Sequence, residues 1–142
     1  MTTFENPPDE AIRTLLRRVR SIAVVGLSPK RERPSHEVAA AMQRFGYRIV
    51  PVRPGVEAVL GEPAYSDLRA VGSTMDLVDV FRAPEYVESI VDACIELGVR
   101  ALWLQEGVVN EPAARRACKA GITVVMDRCL YKEYLRLLAS SA

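Results

Sequence analysis

The stretch Ile22-Ala-Val-Val-Gly26-Leu-Ser-Pro-Lys-Arg-Glu-Arg-Pro-Ser35-His-Glu-Val-Ala-Ala-Ala-Met-Gln-Arg-Phe45-Gly46 reads as a strand, a polar loop and a helix. Its first residues form a continuous apolar run, the pattern of a strand covered on both faces in a parallel sheet. Val38, Met42 and Phe45 then recur at i, i+4 and i+7 and mark one face of a helix. Ser35 is the expected N-cap, Glu37 suits the first turn, and Gly46 supplies a left-handed stop.

Four further apolar runs repeat the unit: Tyr47 to Val52, Leu77 to Phe81, Ala101 to Gln105 and Thr123 to Asp127. Helices are expected between them at Pro84 to Leu97, where Val87, Ile90, Val91, Cys94 and Leu97 form a stripe, and at Asn110 to Ala120. Two more frame the series, at about 9–20 and about 129–139. Residues Arg53 to Asp76 are the exception, a glycine- and proline-bearing connection with room for a turn or two of helix. The alternation predicts an α/β fold: a Rossmann-like, doubly wound sheet of five parallel strands with helices on both faces. The expected strand order, counting the runs along the chain, is 3-2-1-4-5.

The chain has 142 residues, which suits one domain over 1–142. With 49% hydrophobic and 26% charged residues it fits none of the disordered, fibrous or disulfide-scaffold classes. Its 19 Lys and Arg against 18 Asp and Glu leave +1, so no global field draws it to nucleic acid or to anionic membrane. The opening residues lack a basic start followed by an apolar run, and no stretch approaches membrane-spanning length, so a cytoplasmic location is expected. Three cysteines without C-x-x-C spacing and a single histidine argue against a structural zinc site.

Ligands of open parallel sheets bind beyond the carboxyl ends of the strands, so the residues after each run are the candidates. After the first run, Gly26 permits close backbone approach, Ser28 and Ser35 offer hydroxyls, and Lys30, Arg31 and Arg33 add positive charge. The dinucleotide fingerprint G-x-G-x-x-G fails at Ser28 and Arg31, and Arg53 stands where NAD would need an acid. A basic residue there suits a ligand with a phosphate on its adenosine ribose, which leaves coenzyme A and NADP. Pro54 and Phe81 offer flat or apolar surface for a base, Arg82 a further cation, and Glu106-Gly107 a turn. A Walker A loop is absent.

The segments Val24 to Ser28 with Arg33-Pro-Ser35, Gly46 to Val52, Leu60-Gly-Glu62, Val78 to Arg82, Trp103-Leu-Gln105 and Val125 to Cys129 together resemble a known family. It is that of the small CoA-binding proteins, related to the amino-terminal domain of the succinyl-CoA synthetase alpha subunit. The resemblance implies coenzyme A, or an acyl-CoA, as ligand. It puts Gly26, Leu27 and Ser28 at the pyrophosphate. Pro54, Phe81, Arg82, Leu104, Gln105 and Glu106 would line the nucleotide and pantetheine path.

The synthetase relatives carry a phosphorylated histidine in a further domain, which is not expected within these residues. His36 reads as a helix-start residue and Cys129 as a structural thiol, so no partnered nucleophile or carboxylate pair emerges. The expectation is a binding protein without catalysis of its own. The alternatives are an NADP-binding reductase-like protein, or one subunit of an acyl-CoA ligase completed by another chain.

Overall fold

The computed structural model describes residues 3–72 and 75–139. The quoted stretch folds as read: strand β1 (Ser21–Val25) leads through a loop to helix α2 (Pro34–Arg44), preceded by helix α1 (Asp9–Arg18). Then come β2 (Arg48–Val52), a two-stranded antiparallel pair of β3 (Ala58–Val59) and β4 (Glu62–Pro63), and the one-turn helix α3 (Leu68–Val71). The rest alternates: β5 (Leu77–Val80), α4 (Val87–Leu97), β6 (Ala101–Leu104), α5 (Glu111–Lys119), β7 (Thr123–Val125) and α6 (Leu130–Tyr134). A π-helical turn, Leu135–Ala139, continues α6. Among the described residues no helix is long and apolar enough to cross a membrane.

The five long strands form one parallel sheet, with two apolar clusters on opposite faces as the pleat requires. On one face α1, α2 and α6 cover Ile22, Val24, Leu77 and Trp103; on the other α4 and α5 cover Ala23, Val78, Val80 and Leu102. Trp103 is fully buried and its indole N–H donates to the Arg128 carbonyl at 2.8 Å, so its one polar atom is satisfied.

The expected order 3-2-1-4-5 is corrected. The sheet runs β2-β1-β5-β6-β7, which in terms of the five runs is 2-1-3-4-5, with the third beside the first. Two local facts explain it. Pro51 has no N–H to give a ladder, so β2 belongs at an edge. The place outside β2 is also taken: the Tyr65 N–H donates to the Pro51 carbonyl at 3.0 Å, and the Arg53 N–H donates to the Tyr65 carbonyl at 2.7 Å. The chain must then cross back past β1 before it can pair again. Ser35 is likewise not the N-cap of α2; Arg33 occupies that place and the Ser35 hydroxyl is used elsewhere.

Helix ends and the amino-terminal residues are fastened by local contacts. Asn110 caps α5 by accepting the Ala113 N–H at 3.1 Å, and Gly98 ends α4 in the left-handed region at φ 72°. Asn6 clasps the chain beyond β7: its amide accepts the Met126 N–H at 2.7 Å and donates to the Met126 carbonyl at 3.0 Å.

Candidate functional site

The order of the sheet reverses between β1 and β5, and there the loops that leave the two strands touch. Gly26 sits at φ +86°, and a Cβ built on it would lie 2.5 Å from the Phe81 carbonyl oxygen and 3.0 Å from Arg82 Cδ. Only glycine meets both demands, the positive φ and the close approach. Gly26 is fastened to the neighbouring strand as well: its N–H donates to the Val52 carbonyl at 2.8 Å, and its carbonyl accepts from Arg53 Nη1 at 3.3 Å.

Past Gly26 the loop is held by its own serines. The Ser35 hydroxyl accepts the Ser28 N–H at 2.9 Å, and the Ser28 hydroxyl accepts the Lys30 N–H at 3.1 Å. Both serines are buried, at 7% and 6% exposure, yet both line the cleft beside them. Their oxygens are occupied as acceptors, so each hydroxyl proton is the part that can be offered to an anion.

That cleft measures about 600 Å³. Gly26, Ser28, Lys30, Arg33 and Ser35 line it from the first loop, and Arg53, Pro54 and Phe81 from the next two strand ends. Three cations and no carboxylate are among its lining residues, so its field favours an anion. Pro29, Pro34, Gly55 and Val56 also line it, beyond the residues expected from the sequence. The Pro54-Gly55 pair is a turn signal that could have placed the whole post-β2 segment there.

The other candidates lie elsewhere. The pleat sends Phe81 and Arg82 to opposite faces of the sheet at the carboxyl end of β5. Arg82 lies over the Tyr86 ring at 4.0 Å and lines a second cleft of about 170 Å³, which shares Pro54 with the first. Leu27 and Leu104 have fully buried side chains in the two apolar clusters. Gln105 turns inward, where its side-chain oxygen accepts the Leu130 N–H at 3.1 Å at the start of α6. Glu106 is exposed and pairs with Lys132 at 3.2 Å. Gly107 donates to the Asp127 carboxylate at 2.8 Å, so Glu106-Gly107 is a tight turn tied to the loop after β7. Arg31 and His36 are not among the residues lining either cleft.

One buried carboxyl group stands outside the lining of both clefts. Asp79, in the middle of β5, is fully buried, and neither carboxylate oxygen has a hydrogen-bond partner of good geometry. Burial pushes its carboxyl well above the usual carboxylate range, and the Val80 backbone offsets only part of that. It stands in register with Val24 and Trp103, two residues before Phe81 of the cleft.

A parallel α/β sheet with a basic, glycine-floored cleft at its point of reversal defines a Rossmann-like protein. Residues 20–134 match the CoA binding domain family, and the chain belongs to it. Similar proteins include the uncharacterized protein YneT of Bacillus subtilis (strain 168), 40% identical over 127 residues, covering 89% of this chain and 94% of that one. Among solved structures, Prb, a PH1109 protein redesigned for binding, superposes with a TM-score of 0.92 at 35% identity, covering 97% of each chain. A protein from Thermus thermophilus gives 0.88 at 33% identity, over 93% of this chain and 100% of that chain.

Proposed function

We propose that this chain, as one module, binds coenzyme A or an acyl-CoA with the pyrophosphate on the loop after β1. The observation that carries the reading is the cleft itself: the hydroxyls of Ser28 and Ser35 beside Lys30, Arg33 and Arg53, over a glycine that lets backbone come close. Serine hydroxyls give the phosphates donors of fixed position, and the three cations give charge that arginine can deliver through two N–H groups at once. Pro54 and Phe81 supply the flat apolar surface that an adenine or a pantetheine arm needs. Arg82, at the adjoining cleft, extends the positive path around the carboxyl end of β5.

The chain itself performs no chemistry on this reading. His36 stands in the first turn of α2 outside the lining of both clefts and Cys129 is buried at the start of α6, so neither side chain faces the proposed ligand. Three free cysteines suit the reducing cytoplasm. The test is calorimetric titration of the chain with CoA, acetyl-CoA, NADPH and ATP. Binding of CoA or acetyl-CoA in preference to the other two is expected; NADPH binding where CoA fails at millimolar concentration overturns the reading.

A further inference from the structure

Away from the cleft, where α1, α2 and α6 end side by side, lies an aromatic surface that the proposed function does not use. Phe45 stacks on Tyr134 with ring centroids 4.0 Å apart and planes 10° from parallel, and tilts against Tyr131 at 5.8 Å. Phe45 is 36% exposed. A cleft of about 220 Å³ opens beside the stack, with Leu16, Val19, Tyr47 and Tyr134 in its walls and Arg17 and Arg20 at its rim. Isolated apolar side chains on a surface need no explanation, whereas a contiguous apolar patch with a polar rim marks a contact site.

The rim is basic. Arg17 and Arg20 line the cleft, Arg44 and Arg48 stand next to Phe45 and Tyr47 in the chain, all four are exposed, and none of the four forms an ion pair among the described residues. No carboxylate is among the residues lining this cleft, and Asp76, which reaches the Arg20 backbone from outside it, accepts the N–H groups of Arg20 and Ser21 on one oxygen at 2.9 and 3.2 Å. Arg17 and Arg44 sit in last helical turns, where the helix dipole favours cations. Arg20 and Arg48 lie outside the helices, so the dipole does not account for them.

We propose that this face docks an acidic peptide segment of another protein, with one apolar side chain seated in the cleft and carboxylates on the arginine rim. A second copy of the chain fits poorly. A two-fold contact would set the four arginines against themselves. A head-to-tail contact would need a cluster of exposed acids; those of α4 are taken, Glu88 and Asp92 by Arg116 and Glu96 by Arg69. Other exposed acids without an ion pair among the described residues, such as Glu32, Glu57 and Glu85, lie on separate segments of the chain. Nucleic acid fits less well because the rings stack on each other, which occupies the faces that bases would need.

The test is fluorescence anisotropy of the full chain with a labelled pool of short peptides, each holding a Leu-Phe pair flanked by Glu and Asp. A pool with Lys in place of the acids and a labelled oligothymidine serve as competitors. Binding of the acidic pool is expected, weakening as salt rises, with a loss of about tenfold or more in Arg17→Glu/Arg20→Glu and in Phe45→Ala. Thermal melting checks that both variants are folded. No binding of the acidic pool, unchanged binding by both folded variants, or tighter binding of the oligothymidine overturns the proposal.

Discussion

The carbonyl oxygen of Phe81 lies 2.5 Å from the point where a side chain at Gly26 would begin, so the loops after β1 and β5 meet backbone to backbone. That contact closes the crevice at the reversal of the sheet and leaves a cleft on one face and a smaller one on the other. Gly26→Ala must part the loops as well as force a left-handed backbone. Gly55, at φ +76° with nothing within 4 Å of a built Cβ, has only the second cost. Urea denaturation should therefore show Gly55→Ala losing about 1 kcal/mol and Gly26→Ala clearly more, of the order of 2–4 kcal/mol. Equal losses would mean that the Phe81 contact is soft.

Ser35 holds the first loop through the Ser28 N–H, and Ser28 holds it through the Lys30 N–H. Ser28→Asp places a carboxylate where the pyrophosphate is proposed to sit and should abolish CoA binding in calorimetry while the protein stays folded, which thermal melting checks. Ser35→Ala frees a buried N–H and should cost about 1–3 kcal/mol of stability, along with affinity, and Ser35→Thr should restore both in part. Unchanged affinity in Ser28→Asp would move the site elsewhere.

Arg53 reaches across from β2 to the Gly26 carbonyl and lines the cleft with Lys30 and Arg33. Arg53→Ala should weaken CoA about tenfold or more, the usual worth of a charge-assisted hydrogen bond. Arg53→Lys should recover only part of this, because a point charge does not replace a planar fork. The salt dependence of CoA affinity should flatten in Arg53→Ala, and an identical dependence would remove Arg53 from the phosphate field.

Asp79 gives a pH signature with a definite sign. Unfolded, it ionises near its ordinary value of about 3.9; folded, burial keeps it protonated to higher pH. The folded state therefore holds the extra proton in that window, so its contribution is full below about pH 4 and is lost as pH rises through the folded value. Urea midpoints of the wild type should fall from pH 5 to pH 8, and Asp79→Leu should reduce that fall. At pH 8 the variant should be the more stable by about 1–3 kcal/mol, the cost of an unsatisfied buried polar group. The same pH slope in both proteins would show that Asp79 finds a partner in solution.

Much of this was legible along the chain. The runs around Val24, Val50, Val78, Leu102 and Val124 became the five sheet strands because both faces of each are buried. The basic loop from Gly26 to Ser35 was legible too, since glycine, proline and charge there leave few local conformations. Pro51 was a legible sign that β2 lies at an edge.

What the sequence by itself determined was the set of elements and the chemistry at their ends, because periodicity and turn residues act within a few neighbours. The tertiary structure alone decided which ends meet. It put Tyr65 against β2 and so sent the third strand to the far side of β1. It used the pleat to divide Phe81 from Arg82, and it turned Gln105 toward Leu130 instead of the cleft. These outcomes depend on contacts between residues distant along the chain, whose geometry exists only once the sheet has assembled.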